Sequence, residues 1–225
     1  MTSASAPGKV VLSGEYAVLD GAPAICMAVD RRACATIVES PRHYHSVTAP
    51  GYGDIEGRFA SAGGAAEWLQ GGDVYPLLDA AWTALAPEPR GNLSITLDTR
   101  QFFAAGGATK AGLGSSSALT VALVGAISSH LGLPQGVGGT AHDAHRSLQG
   151  GRGSGVDVAC SIAGGLIEYR MQDRSAGALA LPEGLCWALL WSGVASSTAA
   201  MIRKLADAAT RPSRDALAAA SESMA

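Results

Sequence analysis

A segment rich in glycine and serine, residues 110–118, contains the residue types that bind phosphate. Two glycines and three consecutive serines lead directly into an apolar-faced stretch that predicts a helix over Ser115–Leu131. Glycines let the backbone turn closely around an anion, and the free N–H groups of a helix start point at it along the helix dipole. A serine in the first helical turn can also hold Mg²⁺. A helix that simply begins after a glycine turn with a serine cap would show the same pattern, so this segment alone leaves phosphate binding open.

The pattern of this segment excludes two common nucleotide-binding motifs. It lacks the Gly-x-x-x-x-Gly-Lys-Ser/Thr of P-loop proteins, and it lacks the Gly-x-Gly-x-x-Gly of dinucleotide-binding folds. A phosphate site at this position therefore requires a different nucleotide-binding fold.

Two further segments combine glycines with residues that could act on a phosphate. Residues 5–19 contain Lys9 beside a short apolar run, and residues 144–159 contain a Gly-Ser-Gly turn just before Asp157. In this order along the chain, the three segments resemble the motifs of the GHMP kinase superfamily, and they look most like those of phosphomevalonate and mevalonate kinases. The proline that usually precedes the glycine-serine motif is absent.

The resemblance implies an α+β fold. Residues 1–180 would form the ATP-binding domain of the ribosomal protein S5 domain 2-like type, and residues 181–225 would begin a ferredoxin-like GHMP C-terminal domain. The nucleotide would bind at the interface between the two.

The resemblance also implies roles for individual residues, with ATP and Mg²⁺ as cofactors. Lys9 and Asp157 would be the catalytic residues, and Ser116 would be the metal ligand. The implied nucleotide-binding residues are Lys110, Gly112, Leu113, Gly114, Ser115, Ser116 and Ser117, and the implied substrate-binding residues are His145, Gln149, Ser154 and Gly155. From the residues alone, Asp157 could instead be an aspartate that only stabilises a helix start.

The predicted reaction is transfer of the γ-phosphate of ATP to a small-molecule acceptor, 5-phosphomevalonate, in isoprenoid precursor synthesis. Mevalonate kinases carry a metal-binding glutamate upstream of the catalytic aspartate, and the comparable position here is Arg146. An extra cation suits an acceptor that already carries phosphate, and Lys110, Arg146 and Arg152 are the candidates, although each could equally be a solvated surface charge. The alternatives are mevalonate, a sugar or an amino-acid hydroxyl as acceptor, or a ligand sensor without catalysis.

The third motif of the family, a glycine-rich segment that also lines the nucleotide site, has no counterpart after Gly165. This leaves open whether the sequence is an incomplete copy of a longer protein or lacks that part of the site. The alternative of a ligand sensor without catalysis depends on the second case, in which that part of the nucleotide site is missing.

Composition excludes several other function classes. A net charge of −3 and a pI near 5.9 give no field that would attract nucleic acid or an anionic membrane. No run approaches the roughly 20 apolar residues of a membrane span, and residues 1–9 lack the features of a secretion signal.

The four cysteines show no CxxC spacing and predict buried free thiols, so we expect a cytoplasmic protein. The sequence leaves the oligomeric state open, a homodimer included.

Two other groups of residues are interpreted as structural. His142 and His145 lie three apart on a predicted helix, but no third ligand with suitable spacing accompanies them, so zinc is not expected. The tryptophans on apolar faces are predicted to be core residues; these are Trp82, Trp187 and Trp191.

The elements that must position these motifs follow from hydrophobic periodicity. Strands are predicted over residues 9–12, 24–29, 33–38, 45–48, 93–97, 166–170 and 185–191. Helices are predicted over residues 74–85, 115–131, 139–149, 155–163, 197–209 and 212–223. Residues 51–72 predict a surface loop or a short helix, and the boundary between domains is expected within residues 172–184.

Overall fold

The structure is a computed structural model of the 225-residue chain. It describes residues 1–53, 55–104, 109–134, 136–186 and 188–193, together with residues 216, 219 and 223. The helix predicted over 197–209 lies outside the described residues, as does almost all of that over 212–223. The second domain predicted for residues 181–225 therefore stays a prediction.

The described chain combines eight strands with four α-helices. The strands are β1 (Thr2–Ser13), β2 (Ala24–Glu39), β3 (His45–Thr48), β4 (Gly57–Ala62), β5 (Ala65–Gln70), β6 (Leu93–Asp98), β7 (Leu166–Arg170) and β8 (Ser175–Leu179). The α-helices are α1 (Pro76–Leu85), α2 (Ser115–Leu131), α3 (Val137–Leu148) and α4 (Val156–Ala163), and two short 3₁₀ turns span Ala17–Asp20 and Arg100–Phe102.

All eight strands belong to one sheet in which β2 is the central element. The order is β5-β4-β3-β6-β2-β7-β8, and β1 pairs with β2 outside this path. One end of β2 pairs with β6 and the other with β7, and every pairing is antiparallel except that of β3 with β6. The predicted α+β class is confirmed.

Helix α2 packs closely on β1 because its buried face is built largely from small residues. Ala118, Ala122 and Ala126 are buried in the main core. On the same helix, a Cβ built at Gly125 would lie 3.7 Å from the Cβ of Ala4 on β1. A second, smaller buried cluster lies beneath α4 and includes Cys26, Cys160 and Tyr169. Both α2 and α4 contact β1.

The expectation of a loop or short helix over residues 51–72 is wrong, because strands β4 and β5 form a hairpin there. Its turn contains Gly63 and Gly64, both with positive φ. The hairpin is stabilised by rings that face the core: Phe59 packs against Trp68 and Trp82 with ring centroids 5.1 and 4.9 Å apart. Few apolar residues alternate here, since alanine and glycine replace larger side chains, and the strand pattern is correspondingly weak.

Other boundaries differ from the predictions for identifiable reasons. The strands predicted over 24–29 and 33–38 are one continuous strand, since β1 pairs with β2 on both sides of the charged residues between them. Strand β8 was not predicted; its five residues are all exposed and give no periodic signal. The strand predicted over 185–191 does not form in described residues 185–186 and 188–191.

The burial of cysteine and tryptophan partly follows the predictions. All four cysteines are free, with Cys26 and Cys160 buried, Cys34 half-buried and Cys186 exposed, so the expected burial is wrong for Cys186. Trp82 is in the core, Trp191 is 45% exposed, and Trp187 lies outside the described residues.

Within the part of the chain that the structure describes, none of the helices has the length and apolar character needed to cross a membrane.

Candidate functional site

The backbone of β1 touches the loop that precedes α2. The N–H of Lys9 donates to the carbonyl of Leu113 at 2.8 Å. A Cβ built at Gly8 would lie 2.5 Å from the same carbonyl oxygen, so this close approach requires glycine there. The strand and the glycine-serine loop are thus joined at the residue that carries the lysine.

Gly114 is the N-cap of α2 and adopts φ 73°, in the left-handed region. A Cβ built on it would lie 3.0 Å from Cγ and 3.1 Å from Cε of Lys9. The lysine stem therefore runs alongside the cap, and its ammonium group is delivered to the start of α2. No side-chain hydrogen bond caps the helix at Gly114, which leaves the first N–H groups able to meet an anion.

The three serines of the first turn have different environments. Ser115 and Ser116 both line a cavity, and Ser116 is exposed. Ser117 is fully buried, donates to the carbonyl of Gly114 at 2.8 Å and lies 3.5 Å from the hydroxyl of Ser161. The structure thus brings Ser115 and Ser116 to the site, whereas Ser117 completes the turn from inside the protein.

Asp157 lies in the first turn of α4, where the positive end of a second helix dipole faces the site. Its Oδ1 accepts the N–H of Val158 at 3.0 Å. The preceding Gly155, with φ 86°, caps the helix, and a Cβ there would lie 2.7 Å from Nδ1 of His142. A glycine at this position therefore meets both a backbone and a space requirement.

Lys9 and Asp157 line the same cavity, named here the Lys9 cavity. Its walls are Lys9, Val11, Glu15, Tyr16, Leu19, Gln149, Gly153, Ser154, Val156 and Asp157. The sequence-predicted Gln149 and Ser154 are therefore adjacent to the catalytic candidates. Tyr16 and Leu19 also line the cavity but were not predicted as site residues, because no local pattern distinguishes them from ordinary strand and turn residues.

His145 is buried between the two helix starts instead of facing the Lys9 cavity. Its Nε2 lies 3.2 Å from the hydroxyl oxygen of Ser116, and its Nδ1 lies 3.9 Å from Oδ2 of Asp157. Burial lowers the pKa of His145 below its usual range; the nearby Asp157 acts in the opposite direction and Lys9 lowers the pKa further. The imidazole is therefore neutral at pH 7.

A larger and mostly apolar cavity begins at the other side of the α2 start. Its volume is about 180 Å³, compared with about 40 Å³ for the Lys9 cavity. Its walls are Ala49, Tyr52, Val74, Tyr75, Pro76, Leu77, Leu78, Leu97, Thr99, Lys110, Ser115, Ser116, Leu119 and Leu148. The ammonium of Lys110 lies 4.7 Å from the ring centroid of Tyr52, so Lys110 belongs to this cavity. Tyr52 could not be recognised from the sequence because it lies in the segment predicted as a loop.

A third cavity, named the Arg146 cavity, shares Gln149, Gly153 and Ser154 with the Lys9 cavity. Arg146 and Arg174 both line it. Arg174 also pairs with the exposed Asp143 at 3.1 Å. The third candidate cation from the sequence, Arg152, lies exposed in the turn before α4 and is not among the residues that line these cavities.

The start of α2 is better suited to a Mg²⁺ ion that is bound mainly by a nucleotide than to an ion that is bound by protein side chains alone. Among the residues that the structure describes, no group of three or more histidine, cysteine or carboxylate side chains could hold a metal. Mg²⁺ in phosphoryl-transfer sites keeps several waters and takes only one or two protein ligands besides the substrate phosphates. Ser116, an exposed residue in the first turn of α2, offers one such hydroxyl ligand.

Comparisons with known proteins show which family the chain resembles. Residues 80–165 match the family model described as GHMP kinases N terminal domain. The chain is 38% identical over 176 residues to the mevalonate kinase of Methanothermobacter thermautotrophicus, covering 77% of this chain and 52% of that protein. It is 28% identical over 239 residues to the phosphomevalonate kinase of a Streptomyces species, covering 89% of this chain and 64% of that protein.

A solved structure shares the fold. The crystal structure of the Methanococcus jannaschii mevalonate kinase matches with a TM-score of 0.70 at 17% identity, covering 96% of this chain and 69% of that one. At this level of identity the match establishes the fold alone. The chain spans about half the length of the curated mevalonate kinases it matches.

Proposed function

This chain contains the N-terminal domain of a GHMP kinase, and from that premise we propose that the protein transfers the γ-phosphate of ATP to 5-phosphomevalonate. The observation that carries the proposal is the position of Lys9 against the Gly114 cap of α2, in a cavity that it shares with Asp157. Phosphoryl transfer depends mainly on positioning and on neutralising the charge that develops on the phosphoryl group. A helix start, a lysine and a carboxylate at one place provide those functions.

We place the triphosphate at the start of α2. The free N–H groups of the first turn, the hydroxyls of Ser115 and Ser116 and the ammonium of Lys9 would bind its oxygens. The adjoining apolar cavity, lined by Leu77, Leu119 and neighbouring residues, would take the base. This orientation directs the γ-phosphate toward the Lys9 cavity.

Ser116 would hold Mg²⁺ in this arrangement, with nucleotide phosphates and water as the other ligands. When bound with the nucleotide, the ion neutralises part of the phosphate charge and fixes its orientation. Lys9 then adds its positive charge on the side of the acceptor.

The role of Asp157 depends on the acceptor. For a hydroxyl acceptor, its carboxylate would orient the hydroxyl and take its proton as the new bond to Pγ forms and the bond from Pγ to the bridging oxygen breaks, releasing ADP. For an acceptor that is already a phosphate, no strong base is required, and Asp157 would instead position Lys9 or the metal.

A phosphorylated acceptor is supported by the cations next to the Lys9 cavity. Lys9 is the only lysine or arginine among the residues that line that cavity, which also contains the carboxylates of Glu15 and Asp157. The adjoining Arg146 cavity adds two guanidinium groups, from Arg146 and Arg174. Arginine binds phosphate in a bidentate manner, so we place the phosphate that the acceptor already carries there.

Mevalonate is the second candidate acceptor. It is favoured by the 38% identity to a protein named mevalonate kinase, which exceeds the 28% to the one named phosphomevalonate kinase. The small Lys9 cavity would suit the smaller acceptor without involving the arginines. A sugar or amino-acid acceptor has less support, since the named curated relatives above are both kinases of mevalonate compounds.

An ADP-release assay with a panel of acceptors tests the proposal. We expect turnover with 5-phosphomevalonate, and we expect Arg146→Gln to raise its KM with little change in kcat. Turnover with mevalonate alone, unaffected by Arg146→Gln, would replace the first candidate with the second. Nucleotide binding without turnover of any acceptor would instead favour the sensor.

A further inference from the structure

A single buried imidazole connects the two helix starts that meet at the site. The side chain of His145, on α3, is 1% exposed. It contacts Ser116 in the first turn of α2 and faces Asp157 in the first turn of α4. His145 also lines the Arg146 cavity, in keeping with the substrate contact that the family resemblance implies, but most of its ring is covered by protein.

The charge of Asp157 determines which ring nitrogen of His145 carries the proton. Because Val158 donates to Oδ1 of Asp157 at 3.0 Å, the other oxygen, Oδ2, is the one that faces the ring. Nδ1 lies 3.9 Å from it, which is too far for a hydrogen bond but close enough for electrostatic attraction. An N–H on Nδ1 is attracted by the carboxylate, whereas a lone pair would be repelled. This geometry favours the tautomer with its proton on Nδ1, in which Nε2 is the acceptor.

The tautomer fixes the direction of the bond between His145 and Ser116. With Nε2 as acceptor, the hydroxyl of Ser116 donates its only proton across the 3.2 Å contact. The lone pairs of the Ser116 oxygen then remain available on the exposed side of the residue, and a cation can be bound only by lone pairs.

We infer that His145 is a positioning residue that holds Ser116 as a metal ligand by accepting its hydroxyl proton. The inference rests on the proposed function, because it requires a metal-nucleotide complex at the α2 start.

Calorimetric titration of the 225-residue chain with AMPPNP, in Mg²⁺ and in EDTA, tests the inference without relying on turnover. In the wild type we expect tighter binding with Mg²⁺. In His145→Leu we expect this advantage of Mg²⁺ to fall about tenfold, as is typical when a residue that orients a metal ligand is lost. Binding in EDTA should be unchanged. His145→Gln can place a carbonyl oxygen near the hydroxyl of Ser116 and should recover most of the advantage.

Two comparisons separate this role from a general packing effect. His142→Leu removes a histidine one turn away on the same helix and should keep the full Mg²⁺ advantage. Ser116→Ala should lose about as much as His145→Leu, and the double variant should be no worse than either single one because both remove the same bond.

The outcomes distinguish the two proposals. If the wild type shows the Mg²⁺ advantage and folded His145→Leu keeps it in full, the inference is wrong and the proposed function stands. If the wild type does not bind AMPPNP under either condition, the proposed function itself fails. If His145→Leu does not fold, His145→Phe takes its place, since it keeps a ring but cannot accept a proton: a Mg²⁺ advantage about tenfold smaller supports the inference, and a full advantage overturns it.

Discussion

The side chain of Lys9 lies against Gly114, so that one missing methyl group accounts for two features of the site. The absent Cβ lets the backbone adopt φ 73° at the helix cap, and it leaves the space through which the lysine stem passes. The strand and the helix start are thereby held in contact at the residue that carries the lysine.

Gly114→Ala should therefore weaken nucleotide binding beyond its effect on stability. A side chain in left-handed backbone costs about 1–2 kcal/mol, and here the new methyl group would also displace Lys9. Gly132→Ala is the matched control, because Gly132 has φ 64° at the other end of the same helix with no atom within 4 Å of its Cβ position. Both variants should be destabilised to a similar extent in urea unfolding, and only Gly114→Ala should bind AMPPNP more weakly. Equal affinities in the two variants would contradict the role of this contact.

Asp157→Asn should leave AMPPNP binding nearly intact while lowering turnover by orders of magnitude. The amide keeps the size of the side chain and can still accept the N–H of Val158, but it loses the negative charge. The ADP-release assay and a binding titration on the same preparation measure the two effects separately. Unchanged turnover would remove Asp157 from the mechanism.

The stability of the fold should decrease as the pH falls below about 6.5, the ordinary pKa of histidine. Burial lowers the pKa of His45, whose Nδ1 accepts the N–H of Leu93 at 3.0 Å and so must be unprotonated in the folded state. Below pH 6.5 the unfolded chain takes up a proton that the folded chain does not, and the free energy of unfolding decreases until the lowered pKa is reached. Urea unfolding at pH 7.5 and 5.5 measures this difference.

The variant His45→Asn tests that assignment. Its side-chain oxygen can still accept the N–H of Leu93 but does not titrate. We expect lower stability at pH 7.5, because the stacking of the ring on Phe59 is lost, together with a smaller loss between pH 7.5 and 5.5. A loss as large as that of the wild type would assign the pH dependence to other groups.

Thiol labelling should divide the four cysteines into two pairs. Cys34 and Cys186 are accessible and should react with a thiol reagent in the native state, whereas Cys26 and Cys160 are buried and should react only after unfolding. The pKa of Cys26 is also raised by its hydrogen bond to Cys160 and by burial, which suppresses the reactive thiolate. Rapid labelling of all four thiols in the native protein would contradict the packing beneath α4.

The sequence predicted the elements that carry the motifs better than those at the edges of the sheet. The bounds of α2 were predicted to the residue, because an unbroken apolar face begins after Gly114 and ends at Gly132. The hairpin of β4 and β5 was missed because its strands contain few large apolar residues, and β8 because it is fully exposed. Periodicity reports burial, so elements without a buried face of large residues give little signal.

For the candidate site, the sequence predicted a set of residues but not their relative orientation. Motif order alone placed Lys9, Gly114 and Asp157 in one hypothesis, and the fold brings them to one place. The inward orientation of Ser117 and the burial of His145 depend on how α3 packs against α2 and α4, which is a property of long-range contacts. Tyr52 and Arg174 were missed because each contributes one side chain from a segment without any recognisable motif.

Binding of AMPPNP in Mg²⁺ to the wild type and to Lys9→Met tests the central claim most directly. Methionine keeps the length and apolar stem of lysine but removes the charge, and the loss of a charged hydrogen bond is worth about 1.5–3 kcal/mol. We predict that the wild type binds the nucleotide and that Lys9→Met binds it at least about tenfold more weakly. Equal affinity in the two proteins would contradict the placement of a triphosphate between Lys9 and the start of α2.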